Sequence, residues 1–264
     1  MFLIGERING MFTSVAEAIK NKDEKFIQDL AVKQTECGAH CLDIALGPAI
    51  KKDADKIMAW MVEKVCEVTS VPLSIDNPHA GIIEAGLSVC KNPAIINSAS
   101  LEEERFNGLT ELALKYSASL IVLAMNEEGV PQAVEDKSAM GLEIIARCAE
   151  KGLDTDKIYI DPILLPVSAA QDQIKVTLDT LKELQLISDP APKTIVGLSN
   201  ISQQAKNRKI INRTFLTMAM YAGLSAAIVD PLDTDLMKTV KTAELLLNNE
   251  VYYQDFLSGF KEKV

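Results

Sequence analysis

The sequence predicts an α/β protein built as a single (β/α)8 barrel. Eight short apolar runs recur along the 264 residues, and segments with helical periodicity separate them. Each strand–helix unit takes about 33 residues, a spacing that suits a closed barrel. Most of the runs are continuously apolar rather than alternating, as expected of parallel strands covered on both faces. A doubly wound open sheet lacks support, because no GxGxxG follows a strand. No Pro/Gly/Ser-rich linker interrupts the chain, so one domain over residues 1–264 is expected.

The strands are predicted at 2–5, 41–45, 72–75, 94–97, 120–125, 158–160, 194–198 and 226–229. Between them, one helical face over 102–116 gathers Phe106, Leu109, Leu112, Ala113 and Tyr116. Over 136–150 the same spacing aligns Met140, Ile144, Ile145 and Cys148, and over 235–248 it aligns Leu236, Val240, Ala243 and Leu247. Asp23 and Asp136 are predicted to be N-caps, and Gly38 and Gly152 helix stops.

Composition narrows the function. Hydrophobic residues make up 48% and charged residues 24%, the balance of a globular protein. No apolar run approaches the roughly 18 residues of a membrane span, and MFLIGERING turns polar too early for a secretory signal. Cys37, Cys41, Cys66, Cys90 and Cys148 contain no CxxC pair, which predicts a reduced, cytoplasmic protein with buried thiols. A net charge of −10 argues against nucleic acid as a partner.

The strand ends, where a barrel places its chemistry, carry a polar set. They bring Glu6, Arg7 and Asn9; Asp43; Asp76 and Asn77; Asn97 and Ser98; Asn126; Asp161; Ser199 and Asn200; and Asp230. Each one alone could cap the next helix, with Pro78, Pro162 and Pro231 in turn positions. Together they mix carboxylates and amides and lack a central lysine, histidine or cysteine. No metal site is expected, since zinc chemistry draws on Cys or His ligands, and there is no nucleophile elbow or P-loop. The set suits a flat heterocycle with several N–H donors. One aspartate can accept a 2-amino group and the adjacent ring N–H as a bidentate pair, and an asparagine can read neighbouring ring nitrogens.

At "IGERING", "LGPA", "INS", "YIDPILLP", "DPAPKTIVGLSNISQ" and "NRKIINRTFLTMAM" the chain resembles the pterin-binding methyltransferases. Among them it is most similar to the 5-methyltetrahydrofolate:corrinoid/iron–sulfur protein methyltransferases. The resemblance implies a homodimeric barrel that transfers the N5-methyl of 5-methyltetrahydrofolate to the Co(I) corrinoid of a partner protein. It implies that Asp76, Asn97 and Asp161 hold the pterin, with Asp161 at the 2-amino edge, and that Gly197, Ser199, Gln203 and Arg208 complete the site. Asn200 falls on the family's catalytic asparagine; the bland reading makes it a cap for the helix after strand 7. One departure is Ala45, in "DIALGP", where the family leads one to expect an asparagine.

No corrinoid-binding domain is recognisable, so the corrinoid is expected on a partner or as a free substrate. The direction stays open, because the same site run backwards would methylate tetrahydrofolate from a methyl-corrinoid protein, as a demethylase system requires. A dihydropteroate synthase-like enzyme would need a lysine ending strand 7 and an arginine at strand 8. This chain has Ser199–Asn200 and Val229–Asp230 there. A non-catalytic folate-binding module is the reading from a different class, and it has no need of Asn200.

Overall fold

The computed structural model describes residues 1–249; the end of the expected domain, 250–264, lies outside the described residues. Eight parallel strands close into a barrel in chain order. They are β1 (Phe2–Asn9), β2 (Cys41–Ala45), β3 (Leu73–Asp76), β4 (Ala94–Ala99), β5 (Ser119–Leu123), β6 (Ile158–Asp161), β7 (Lys193–Gly197) and β8 (Ala226–Val229). Around them run α1 (Thr13–Asn21), α2 (Glu24–Glu36), α3 (Ala54–Cys66), α4 (Ala80–Val89), α5 (Glu103–Tyr116), α6 (Val134–Glu150), α7 (Gln171–Leu184), α8 (Arg208–Tyr221) and α9 (Thr234–Leu246). No helix among the described residues is long and apolar enough to cross a membrane.

Two strands run further than their apolar runs. Past Gly5, β1 pairs again with β2 at Ile8↔Ile44 and Asn9↔Ala45, with a register shift between. β4 shows a similar shift against β5 between Ile96 and Ala99. Such bulges re-aim side chains at barrel rims, and these carry Glu6, Arg7, Asn97 and Ser98. β5 stops short of prediction, at Leu123.

The strand period of two builds the interior in layers. Ile4, Cys41, Ile95, Tyr159 and Ile195 pack together inside the barrel. Two residues further along each strand come Glu6, Asp43, Asn97, Asp161 and Gly197. The polar layer therefore stands on an apolar floor. Outside, a larger cluster joins the strands to the helices through Phe106, Leu109, Ile144 and Cys148.

Asp23 caps α2 by accepting the Phe26 N–H at 3.1 Å. Gly38 (φ 99°) and Gly152 (φ 85°) follow helix ends in the left-handed region that glycine favours. Asp136 is not a cap. Ala133 holds that position in α6, and Asp136 lies in the first turn, where its charge complements the helix dipole.

Candidate active site

The polar layer is wired from below. Asp43, 3% exposed, accepts hydrogen bonds from Ser74 Oγ at 2.6 Å and Asn97 Nδ2 at 3.1 Å. Burial pushes its carboxyl up to about 6, and these two donors pull the other way. A carboxylate can only accept, so it fixes which way the Asn97 amide faces. The Asn97 carbonyl oxygen is left for a ligand.

The Asp76 side chain, beside Asp43, makes no hydrogen bond among the described residues. Burial first, then repulsion from Asp43, raises its carboxyl to about 8, with Arg105 acting against them. Asp161 is likewise raised by burial, to about 7, opposed by the Ile163 backbone N–H and by Lys137. Partial burial disfavours ionisation of both carboxyl groups until a donor arrives.

None of the strand-end set caps the following helix, and part of it closes turns instead. Asn77 accepts His79 N–H at 3.0 Å, Asp161 accepts Ile163 N–H at 2.8 Å and Asp230 accepts Leu232 N–H at 3.0 Å. Each bond spans a proline and closes a turn of the kind Asx side chains favour. Asn9 and Asn126 make the same bond, to Met11 and Glu128. Asp43, Asp76 and Asn97 do not, and of the turn-closing residues Asp161 also belongs to the polar layer.

On the β7 side the chain leaves the strand in a 3-10 turn, Leu198–Ser202. Asn200 is no cap for α8, whose N-cap is Asn207. Its side chain folds back over the strand end, so that a Cβ at Gly197 would come 3.0 Å from Asn200 Nδ2. Gly197 thus makes room for the Asn200 amide. Gln203 Nε2 donates to Asn200 Oδ1 at 3.3 Å, which leaves the Asn200 NH2 as the presented end. Arg208 pins the turn, donating to Ser202 Oγ at 3.0 Å and to the Ser199 carbonyl at 3.1 Å.

The expected residues therefore fall in two groups. Asp76, Asn97 and Asp161 rise from β3, β4 and β6, and Gly197, Ser199, Asn200, Gln203 and Arg208 share the turn after β7. Glu6 joins the second group, since Ser199 Oγ donates to Glu6 Oε1 at 2.7 Å. Ala45 sits between Asn9 and Asp76 in the strand register. It lines a 590 Å³ cleft that opens beside Asp76 and extends to Pro48, Ile50 and Ile82.

Two cations from the outer helices escaped the sequence reading. Arg105, on α5, donates to the Pro78 and Ser98 carbonyls and so ties together the loops after β3 and β4. Lys137, on α6, is wholly buried and donates to the Pro162 carbonyl at 2.8 Å. Burial lowers its pKa, and Asp161 counteracts that. Its signal was present, because Lys137 shares a helical face with buried Gly141, Ile144 and Cys148. Lys137→Met should cost about 1–3 kcal/mol of unfolding free energy by leaving a buried carbonyl unpaired. Urea denaturation measures this. Hydrogen exchange at the Ile163 amide should also quicken; unaltered stability and exchange would show that Lys137 does not hold this loop.

The family described as pterin binding enzyme matches residues 5–230. A methylcorrinoid:tetrahydrofolate methyltransferase of Eubacterium limosum is 30% identical over 267 residues, covering 99% of this chain and 97% of that protein. A methionine synthase of Mycobacterium leprae (strain TN) is 29% identical over 242 residues, covering 87% of this chain but 20% of that longer protein. A dihydropteroate synthase of Xanthomonas albilineans, solved with 4-aminobenzoic acid, superposes with a TM-score of 0.69 at 16% identity, over 95% of this chain and 93% of that one. At that identity the likeness is one of fold.

Proposed function

The chain belongs to the pterin-binding enzyme family, and from that premise we propose that it moves a methyl group between N5 of a tetrahydrofolate and the cobalt of a corrinoid carried by a partner protein. The observation that carries this reading is the polar layer, with the Asp76 side chain unpartnered, Asp161 raised and the Asn97 carbonyl free. A pterin offers what this layer lacks. Its 2-amino group and ring N–H meet Asp161 as a bidentate pair, and Asp76 and Asn97 take the opposite ring nitrogens. Ser199, Gln203 and Arg208 hold the turn that closes the site. Asn200 lies at N5, with Gly197 giving its amide the space to fold over the strand.

The methyl group moves by displacement. Leaving tetrahydrofolate as an anion is unfavourable, so a proton or a strong hydrogen bond must reach N5 as its bond to carbon breaks. The Asn200 NH2 donates to N5 and favours the transition state over the ground state. The primary reading runs from 5-methyltetrahydrofolate to Co(I). The reverse is the second reading, favoured by the name of the Eubacterium limosum relative, a methylcorrinoid:tetrahydrofolate methyltransferase. One site serves both, since a displacement and its reverse share a transition state.

Calorimetric titration with 5-methyltetrahydrofolate tests the site. Ring donors favour the ionised carboxylate, so binding should pull Asp161 down from about 7 and release a proton. Affinity should rise with pH through about 7 as Asp161 ionises and on to about 8 as Asp76 does, and level off above that. Heats in buffers of different ionisation enthalpy count the proton. Affinity independent of pH, with no proton released, would contradict pterin recognition by this carboxyl.

A further inference from the structure

We infer that Glu6 supplies the proton that N5 gains as its methyl group leaves, passing it through the Ser199 hydroxyl. The inference rests on the function proposed above and names the proton source that an asparagine cannot be. Glu6 lies at the β1 register shift, two residues beyond Ile4 on the interior face. Its Oε1 accepts from Ser199 Oγ at 2.7 Å. Oε2 has no hydrogen-bond partner among the described residues.

The charged groups facing it are Asp43 from β2, Asp230 from the end of β8 and Arg7 from its own strand. Arg7 is itself engaged, 3.4 Å from Asp230 and stacked 4.0 Å above the Phe12 ring. Burial raises the Glu6 carboxyl to about 7, Asp230 and Asp43 add to it, and Ser199 and Arg7 oppose them. A carboxyl near neutrality can both hold and release a proton.

The other acids are committed elsewhere. Asp43 already accepts from Ser74 and Asn97 beneath the site. Asp161 and Asp76 meet the pterin donors. Arg208 is a cation engaged with Ser202 Oγ and the Ser199 carbonyl. Glu6 is the half-buried acid left beside the Asn200 turn.

The step balances. The N5–carbon bond breaks and its electron pair stays on N5, while the electron pair of Co(I) forms the carbon–cobalt bond. When Glu6 is protonated its bond to Ser199 reverses, so that Glu6 donates. Glu6 gives its proton to Ser199 Oγ, and the hydroxyl's own proton goes to N5. Glu6 is left as a carboxylate and regains a proton from water. In the reverse reaction the carboxylate collects the N5 proton by the same route.

The test is the pH profile of kcat for transfer to free Co(I) corrinoid at saturating 5-methyltetrahydrofolate, where titration of the binding carboxyls does not enter. The parent rate should fall as pH rises through about 7. Glu6→Gln keeps the shape of the side chain and removes the acid. It should lower kcat about a hundredfold or more at pH below 7 and abolish that limb, with folate affinity unchanged by calorimetry. Ser199→Ala should give the same loss of kcat with Glu6 still in place. A Glu6→Gln protein that keeps the parent's rate and limb, or that loses folate affinity with kcat intact, would overturn the proton-donor role. A parent protein that binds folate but moves no methyl group would instead remove the proposed function, and this inference with it.

Discussion

Asn200→Ala should slow methyl transfer on the order of a hundred- to a thousandfold, the usual cost of one preorganised donor at a reacting centre. Folate binding should weaken far less. The amide is not a cap on the next helix, since Asn207 has that place. It lies over Gly197, held at its carbonyl by Gln203, with the NH2 facing outwards. That is the end a nitrogen lone pair needs. Its contact strengthens as N5 gains electron density, so its loss falls on the rate rather than on ground-state binding. Rapid-mixing single turnovers under anaerobic conditions separate the two. Equal rates for variant and parent would remove Asn200 from the chemistry.

Asp161→Asn is expected to act in opposite directions on binding and stability. The bidentate, charge-assisted pair with the pterin is lost, weakening folate roughly 10- to 100-fold. The fold should hold, because an asparagine can still accept the Ile163 N–H that closes the turn. The stability effect follows from the raised pKa of about 7 against an ordinary 3.8. Between those values the folded chain keeps a proton that the unfolded chain has lost. Stability therefore falls as pH rises across this range, by up to about 1.4 kcal/mol per pH unit from this one group. The asparagine does not titrate, so the variant should unfold later than the parent above pH 7 and differ least below about pH 4. Folate affinity equal to the parent's, or lower stability at alkaline pH, would contradict both the recognition and the burial argument.

The barrel was legible because a buried parallel strand leaves a continuous apolar run, and eight such runs at regular spacing leave little else to build. The polar layer was legible for a related reason. Asp43, Asn97 and Asp161 follow Cys41, Ile95 and Tyr159 by one strand period, so an inward apolar residue announces an inward polar one. Bulges leave no such mark. The shift that turns Glu6 and Arg7 into the mouth of the barrel comes from pairing between β1 and β2, which no local pattern records. Arg105 was hidden because its partners are backbone carbonyls of distant loops. Lys137 was visible as a charge in phase with an apolar stripe, a pattern that ordinarily means a solvated side chain at the helix edge. Asp136 illustrates the limit of cap prediction, since a carboxylate suits a first turn and a cap alike.

Methyl transfer is measured most directly by visible absorbance of reduced free corrinoid, mixed anaerobically with the protein and 5-methyltetrahydrofolate. Protein-dependent loss of the Co(I) band with matching growth of methyl-Co(III) is expected, and the reverse change when methyl-corrinoid is mixed with tetrahydrofolate. Unchanged spectra in both directions, with folate bound by calorimetry, would contradict the proposed function.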